Sequence, residues 1–153
     1  MSLTTPASAA PHPPGNHFSI ALVRCKSDLN FGSIMRLAVN YQAAAVFLVQ
    51  CRFRHVRTDT SRAQRHLPII ECEELPTVVG CTHVFVDFSE DAQALPAFRH
   101  PKQCLYIFGS EDGTLTPPAG KALVYVPTCG SMNLAVSVGV LLYDRMAKQG
   151  GTS

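Results

Sequence analysis

Residues 123–149, LVYVPTCGSMNLAVSVGVLLYDRMAKQ, restrict the fold more than any other stretch of the chain. They read as a buried strand, a short polar loop and a long helix with almost no polar face. Val124 to Val126 is a β-branched and aromatic run, and Pro127, Cys129 and Gly130 punctuate the loop after it. Ser131 or Asn133 can cap the helix, because a side-chain oxygen accepts free backbone N–H groups there. Leu134, Val138, Leu141, Leu142 and Arg145 share one helix face, while Val136, Val140 and Tyr143 cover much of the other. A helix apolar nearly all round is buried on several sides: one against the chain's own sheet, another against a partner subunit. Ala135 and Gly139 are small enough for a neighbouring backbone to approach. The loop Thr128 to Met132 places glycine and hydroxyl groups at a helix N-terminus, a setting that favours an anionic or electron-rich ligand. A terminal helix that only packs is the plainer alternative.

The chain has 153 residues, the length of one domain. A domain of this size buries about two-thirds of its unfolded surface and needs no covalent staples. No run approaches the ~20 apolar residues of a membrane span, and the N-terminus lacks the basic and apolar regions of a signal peptide. The six cysteines, at 25, 51, 72, 81, 104 and 129, form no CxxC pair. Most lie in or beside apolar runs, so they read as reduced thiols of a cytoplasmic protein.

Residues 1–17, with prolines at 6, 11, 13 and 14, read as a flexible arm. Residues 18–149 form the folded domain. Phe18 to Cys25, Val46 to Cys51, Pro68 to Glu71, His83 to Phe88 and Leu105 to Phe108 read as strands. Phe31 to Gln42 reads as a helix, with shorter helices within 52–67 and over Glu73 to Val79. Strands alternating with helices predict an open parallel sheet with helices on both faces.

Three further segments carry candidate chemistry. In Asn30-Phe31-Gly32-Ser33-Ile34-Met35-Arg36-Leu37-Ala38, the residues Ile34, Leu37, Ala38 and Tyr41 are spaced to face the sheet. Ser33, Arg36 and Asn40 lie along a different face. Gly32 costs helix stability, roughly 1 kcal/mol against alanine, which close approach of a backbone or ligand would explain. Asn30 falls near the carboxyl edge of the sheet, where open parallel sheets bind ligands; its plainer role is an N-cap. Residues 52–66, RFRHVRTDTSRAQRH, hold Arg52, Arg54, Arg57, Arg62 and Arg65 with a single aspartate. This segment is net +4, although the whole chain is only +2. Arginine forks match phosphates, and focused basic charge is the footprint of an RNA or DNA backbone. In LYIFGSEDGTL, Gly109 admits a ligand to the main chain, and Glu111 stands at the carboxyl edge of the strand. Neither a GxGxxG nor a GxxxxGK[ST] pattern is present, and no metal-ligand spacing appears.

Together, the segments Asn30 to Ala38, Phe108 to Leu115, and Val126-Pro127 with Ser131-Met132-Asn133-Leu134 resemble the three motifs of the SpoU (TrmH) family. These are S-adenosylmethionine-dependent RNA 2′-O-ribose methyltransferases of the SPOUT superfamily. The resemblance covers about residues 18–148. It implies a C-terminal trefoil knot, S-adenosylmethionine as methyl donor with no metal, and a homodimer joined through the last helix. It also implies donor contacts near Asp87, Gly109, Val126 and Leu134, with Ser131 and Asn133 nearby. Asn30, Arg36, Glu111, Ser131 and Asn133 match the family's functional positions. Thr128 stands where methionine is common, and Ala135 where serine is common.

The implied reaction, in-line methyl transfer to a ribose hydroxyl, needs alignment and relief of developing alkoxide charge. Arginine stays protonated, so Arg36 suits gripping a phosphate and stabilising that charge; a transient role as base is the alternative. Glu111 and Asn30 would hold Arg36 and the loop in place. The lack of an attached RNA-binding domain favours tRNA over rRNA as the substrate. A non-catalytic RNA- or nucleotide-binding module on the same fold is the competing reading. A nicotinamide oxidoreductase lacks its glycine fingerprint.

Overall fold

The computed structural model describes residues 15–53, 67–113 and 115–150. In chain order they form β1 (His17–Val23), α1 (Asp28–Asn40), β2 (Val46–Val49), β3 (Ile69–Cys72), β4 (Thr82–Val86), β5 (Gln93–Ala94), a single 3-10 turn (Leu95–Ala97), β6 (Gln103–Phe108), β7 (Ala122–Tyr125) and α2 (Leu134–Gly150). The strands make one seven-stranded sheet in the order β3-β2-β1-β6-β4-β7-β5. Every pairing is parallel. This is the open parallel sheet that the alternation of strands and helices predicts. Strand order reverses between β1 and β6, and β7 enters between β4 and β5. Ligand crevices open at the carboxyl ends of strands beside such reversals.

The two faces of the sheet are covered differently. Alternate residues of each strand point to opposite sides. Ile20, Leu22, Val46, Leu48, Tyr106 and Val124 pack with the buried residues of both helices. Ala21, Phe85, Leu105 and Ile107 form a second cluster, covered by Leu75, Val78 and Leu115. The expected helices on both faces are therefore met on one face only among the described residues. Residues 73–79 are irregular chain, not the short helix their composition predicts. Pro76 removes a backbone donor in the middle of that short segment, yet Leu75 and Val78 still reach the sheet. The helix expected within 52–67 falls largely outside the described residues.

Local chemistry sets the helix ends. Ser27, not Asn30, is the N-cap of α1: its Oγ accepts the Asn30 N–H at 3.3 Å. Asn30 thus sits inside the first turn. Phe31, Ile34, Met35 and Ala38 bury against the sheet, while Leu37 and Tyr41 are only half-buried. Leu37 turns toward α2, where a Cβ on Gly139 would stand 3.5 Å from its methyl carbons. The small residue in α2 therefore admits a side chain of α1, not a neighbouring backbone. On α2, Leu134, Ala135, Val138, Leu141, Leu142 and Arg145 are buried, the face its sequence period predicts.

Arg145 fastens the far end of α2. It is 2% exposed, and its guanidinium donates to the carbonyls of Pro101 (2.8 Å) and Lys102 (2.9 Å), to Tyr106 Oη (2.9 Å) and to Asn16 Oδ1 (2.6 Å). Asn16 and His17, which composition groups with the arm, are thereby part of the folded body. Tyr106 Oη also lies 2.6 Å from His100 Nδ1, and His100 Nε2 lies 2.7 Å from Asp144 Oδ2. Because Tyr106 accepts from Arg145, its own proton goes to Nδ1, which leaves the Nε2–H for Asp144. This pattern needs a neutral His100. Burial lowers the His100 pKa, against the opposing pull of Asp144.

Both networks have measurable consequences for stability. Arg145→Met strands several buried acceptors and should cost about 3 kcal/mol in urea unfolding. Unfolding frees His100 to take up a proton below the ordinary value of 6.5, so the unfolded state binds more protons there. The contribution is full above that value and is lost as the pH falls through the folded pKa, so the urea midpoint should drop as the pH is taken below 6.5. In His100→Gln that slope should be shallower.

Candidate active site

A cavity of about 970 Å³ opens over the carboxyl ends of three neighbouring strands, β4, β6 and β7. Its walls are Val86 to Phe88 after β4, Phe108 to Glu111 with Gly113 after β6, and Tyr125 to Leu134 after β7. Six residues chosen from sequence as donor contacts (Asp87, Gly109, Val126, Ser131, Asn133 and Leu134) all line it, and so does Glu111.

A hydrogen-bonded chain joins the three motif segments at this cavity. Asn133 Nδ2 donates to Asn30 Oδ1 at 3.0 Å, and Asn30 Nδ2 donates to Glu111 Oε1 at 3.1 Å. The donor and acceptor of each amide are both used, so the order Glu111–Asn30–Asn133 fixes which way each amide faces. Asn133 has a second task. Its Oδ1 accepts the Val136 N–H at 3.1 Å and caps α2. One side chain therefore sets the start of α2 and ties it to α1 and to the loop after β6.

Asp87 braces the opposite wall. Its carboxylate accepts the N–H groups of Phe88 (2.8 Å) and Leu115 (2.9 Å). That second bond draws Leu115 toward the end of β6. Leu115 then packs on Gly109, where an added Cβ would lie 2.8 Å from Leu115 Cγ. The glycine is thus required by a side chain of the same protein. Gly32 has no such neighbour: a Cβ there would meet nothing within 4 Å, so the crowding expected around it is not found in this chain.

The remaining candidates separate. Arg36 is exposed, does not line the cavity, and makes no hydrogen bond or ion pair among the described residues. Asn30 and Glu111 bind each other in place of holding Arg36. Of the basic segment, Arg52 is described and exposed. It borders a shallow depression with Lys26, Asp28 and Phe53. Arg54, Arg57, Arg62 and Arg65 lie outside the described residues. Lys26 also pairs with Asp112 at 2.8 Å, fully in solvent.

Two aromatic wall residues escaped the sequence reading. Phe88 and Tyr125 meet edge to face, with centroids 5.4 Å apart, and Phe88 is 71% exposed. The strand expected through Phe88 ends at Val86, which frees this ring from the sheet. An aromatic residue directly after Asp87 at a strand exit was the available signal.

An open parallel sheet with a cavity over its carboxyl edge and a helix N-terminus in the wall defines an α/β domain of the kind whose ligands sit at strand ends. Comparison with known proteins supplies the family. The SpoU rRNA methylase family profile matches residues 17–143. An uncharacterized tRNA/rRNA methyltransferase of Synechocystis is 24% identical over 156 residues, covering 92% of this chain. The chain spans 57% of that relative's length. The AdoMet-bound rRNA methyltransferase of Sinorhizobium meliloti superposes with a TM-score of 0.72 at 23% identity, over 90% of this chain and 58% of that one. A structure described for 2-OH methylation of C/U34 on tRNA gives a TM-score of 0.72 at 22% identity, over 90% of this chain and 99% of that one. The chain belongs to the SpoU rRNA methylase family.

The double role of Asn133 is separable by mutation. Asn133→Ala should lose about 1 kcal/mol in urea unfolding through the missing cap. Asn133→Asp keeps the cap acceptor but loses the donation to Asn30, so it should recover most of that loss. Equal destabilisation in both variants would place the energy in the Asn30 link.

Proposed function

We propose that the chain is an S-adenosylmethionine-dependent RNA 2′-O-ribose methyltransferase, acting on tRNA in preference to rRNA, in the cytoplasm. The observation that carries this reading is the Glu111–Asn30–Asn133 chain, which brings all three motif segments to one cavity. The cavity suits the donor: main chain at Gly109, Val126 and Leu134 is within its walls, and the Phe88 and Tyr125 rings offer an apolar edge. When bound, the donor supplies an activated methyl group on a sulfonium. Asp87, Gly109, Val126, Ser131, Asn133 and Leu134 would hold it. The family likeness supports threading of the C-terminal segment into a trefoil knot, and the chemistry calls for no metal.

Catalysis in this reading is alignment plus electrostatics. Asn133 and Asn30, fixed by Glu111, keep the loop before α2 in a single arrangement, so little reorganisation is needed when substrate arrives. The Arg36 guanidinium, having no partner among the described residues of its own chain, is available to an RNA phosphate. Beside the ribose it would stabilise the oxygen as the hydroxyl proton leaves. Arg36 lies outside its own chain's cavity wall, so it serves the cavity of a second copy. The basic segment, with Arg52, Arg54, Arg57, Arg62 and Arg65, would bind the RNA backbone.

The dimer is supported by α2. Val136, Val140, Tyr143 and Met146 are 53%, 37%, 59% and 50% exposed. At spacings of four, three and three they form one apolar stripe, and Leu29 on α1 is 87% exposed. An apolar stripe of this kind is covered in the homodimer we propose.

Arg36→Ala should leave the affinity for S-adenosylhomocysteine within about twofold while methyl transfer to RNA falls by about a hundredfold or more. Unchanged turnover would reject the assignment, and a binding module would show no transfer in either form. Mixing Arg36→Ala with Gly109→Val chains, whose valine displaces Leu115 at the cavity wall, should restore about a quarter of the activity if the arginine acts across a two-fold axis. No recovery would place both groups on one chain. Val140→Glu should shift the protein to monomer in sedimentation and abolish transfer.

A further inference from the structure

Cys25 and Cys51 leave adjacent strands in the same register. Val23 pairs with Val49 at the ends of β1 and β2, and each cysteine lies two residues further on. The residue between strand and cysteine, Arg24 in one case and Gln50 in the other, takes a left-handed conformation, φ 54° and 52°. Both chains therefore turn the same way. Backbone bonds flank the pair: Arg24 N–H to the Val49 carbonyl at 2.8 Å, and Arg52 N–H to the Cys25 carbonyl at 3.0 Å. The second of these bonds carries the parallel register past the strand ends, so Cys25 stands opposite Cys51. Cys25 is 1% exposed, whereas Cys51 is half-buried. Cys25 Sγ donates to the Gly109 carbonyl at 3.5 Å, and Cys51 Sγ to the Leu22 carbonyl at 3.1 Å.

We propose that Cys25 and Cys51 form a reversible oxidation site, cross-linked by a hydroperoxide into a disulfide that weakens ligand binding in the adjacent cavity; the ligand consequence rests on the methyltransferase reading of that cavity. Adjacent parallel strands hold Cα atoms near 4.8 Å apart, inside the range a disulfide spans. The two thiols are chemically unequal. The neighbouring Cys25 thiol, together with backbone N–H groups, lowers the Cys51 pKa, while the closeness of Cys51, burial and Glu111 raise that of Cys25. Cys51, which solvent reaches while Cys25 is enclosed, is thus the nucleophile. Its thiolate attacks hydrogen peroxide: an S–O bond forms, the O–O bond breaks, and hydroxide leaves to become water. Sulfur is oxidised by two electrons, to a sulfenic acid. Cys25 then attacks that sulfur and gives up its proton; the S–S bond forms, the S–O bond breaks, and a second water leaves. Two thiols and one peroxide become one disulfide and two waters.

The route to the cavity is short. Gly109 lines it, and its carbonyl is held by the Cys25 S–H. A disulfide has no such proton. The carbonyl loses its donor at the point where the β6 chain leaves the sheet and begins the cavity wall. Losing a hydrogen bond of this order corresponds to about threefold to tenfold in affinity.

The full chain, reduced and then treated with equimolar hydrogen peroxide, decides the matter. Expected is a Cys25–Cys51 cross-link in peptide maps made without reductant, reversed by dithiothreitol. Cys25→Ser should instead leave a sulfenic acid on Cys51 that dimedone traps. Affinity for S-adenosylhomocysteine should fall about threefold to tenfold on oxidation and return on reduction. Oxidised Cys51→Ser should bind as its reduced form does, which controls for reaction at exposed Cys129. Oxidation confined to Cys129, or a different cross-link, would overturn the proposal. A mapped cross-link with unchanged affinity would overturn its ligand consequence. A reduced chain that does not bind the ligand would overturn the donor reading, while the map alone would still decide the cross-link.

Discussion

The buried guanidinium of Arg145 is the fastening on which the placement of α2 depends. It gathers Asn16, Pro101, Lys102 and Tyr106 at the end of the helix remote from the cavity. A 17-residue helix is about 25 Å long, so a fixed C-terminal end also aims the N-terminal end. That end is Asn133, the residue which closes the link to Asn30 and Glu111. A buried charge satisfied this fully is worth little against an apolar replacement packed to the same shape, yet removing one partner alone is expensive. It specifies position more than it adds stability. Lys148, donating to the Leu95 and Phe98 carbonyls and paired with Asp144, holds the same end against the 3-10 turn.

Between these two ends the helix has two occupations. Leu134, Val138, Leu141 and Leu142 complete the core that both helices share with one face of the sheet. Val136, Val140, Tyr143 and Met146 remain exposed on the other side. The same element that closes the cavity therefore carries the apolar stripe proposed to meet a second copy. In the proposed dimer, assembly and site geometry become one problem, because a shift of α2 would move the cap, the cavity wall and the apolar stripe together.

Much of this was legible from residue order, for identifiable reasons. Strand positions are set by β-branched runs, and the buried face of α2 by its 3.6-residue period, since both patterns answer directly to burial. The cavity wall was legible because glycine, proline and small polar residues cluster after each strand. The features that escaped depend on which partner each residue meets, near or far along the chain. Asn30 reads as a cap until Ser27 takes that role. Gly109 reads as room for a ligand until Leu115 fills it. The irregular 73–81 segment keeps apolar spacing while Pro76 denies it a helix. His100 has no local signature, because its partners Tyr106 and Asp144 come from β6 and α2.

The chemistry assigned to the cavity reduces to where one methyl group goes. The most direct measurement is transfer of a labelled methyl group from S-adenosylmethionine to unmodified tRNA, with complete digestion and separation of the nucleosides. Label recovered in a 2′-O-methylated nucleoside, lost in Arg36→Ala, is the expected result. Label recovered only on a base, or no transfer by a dimeric and properly folded chain, would contradict it.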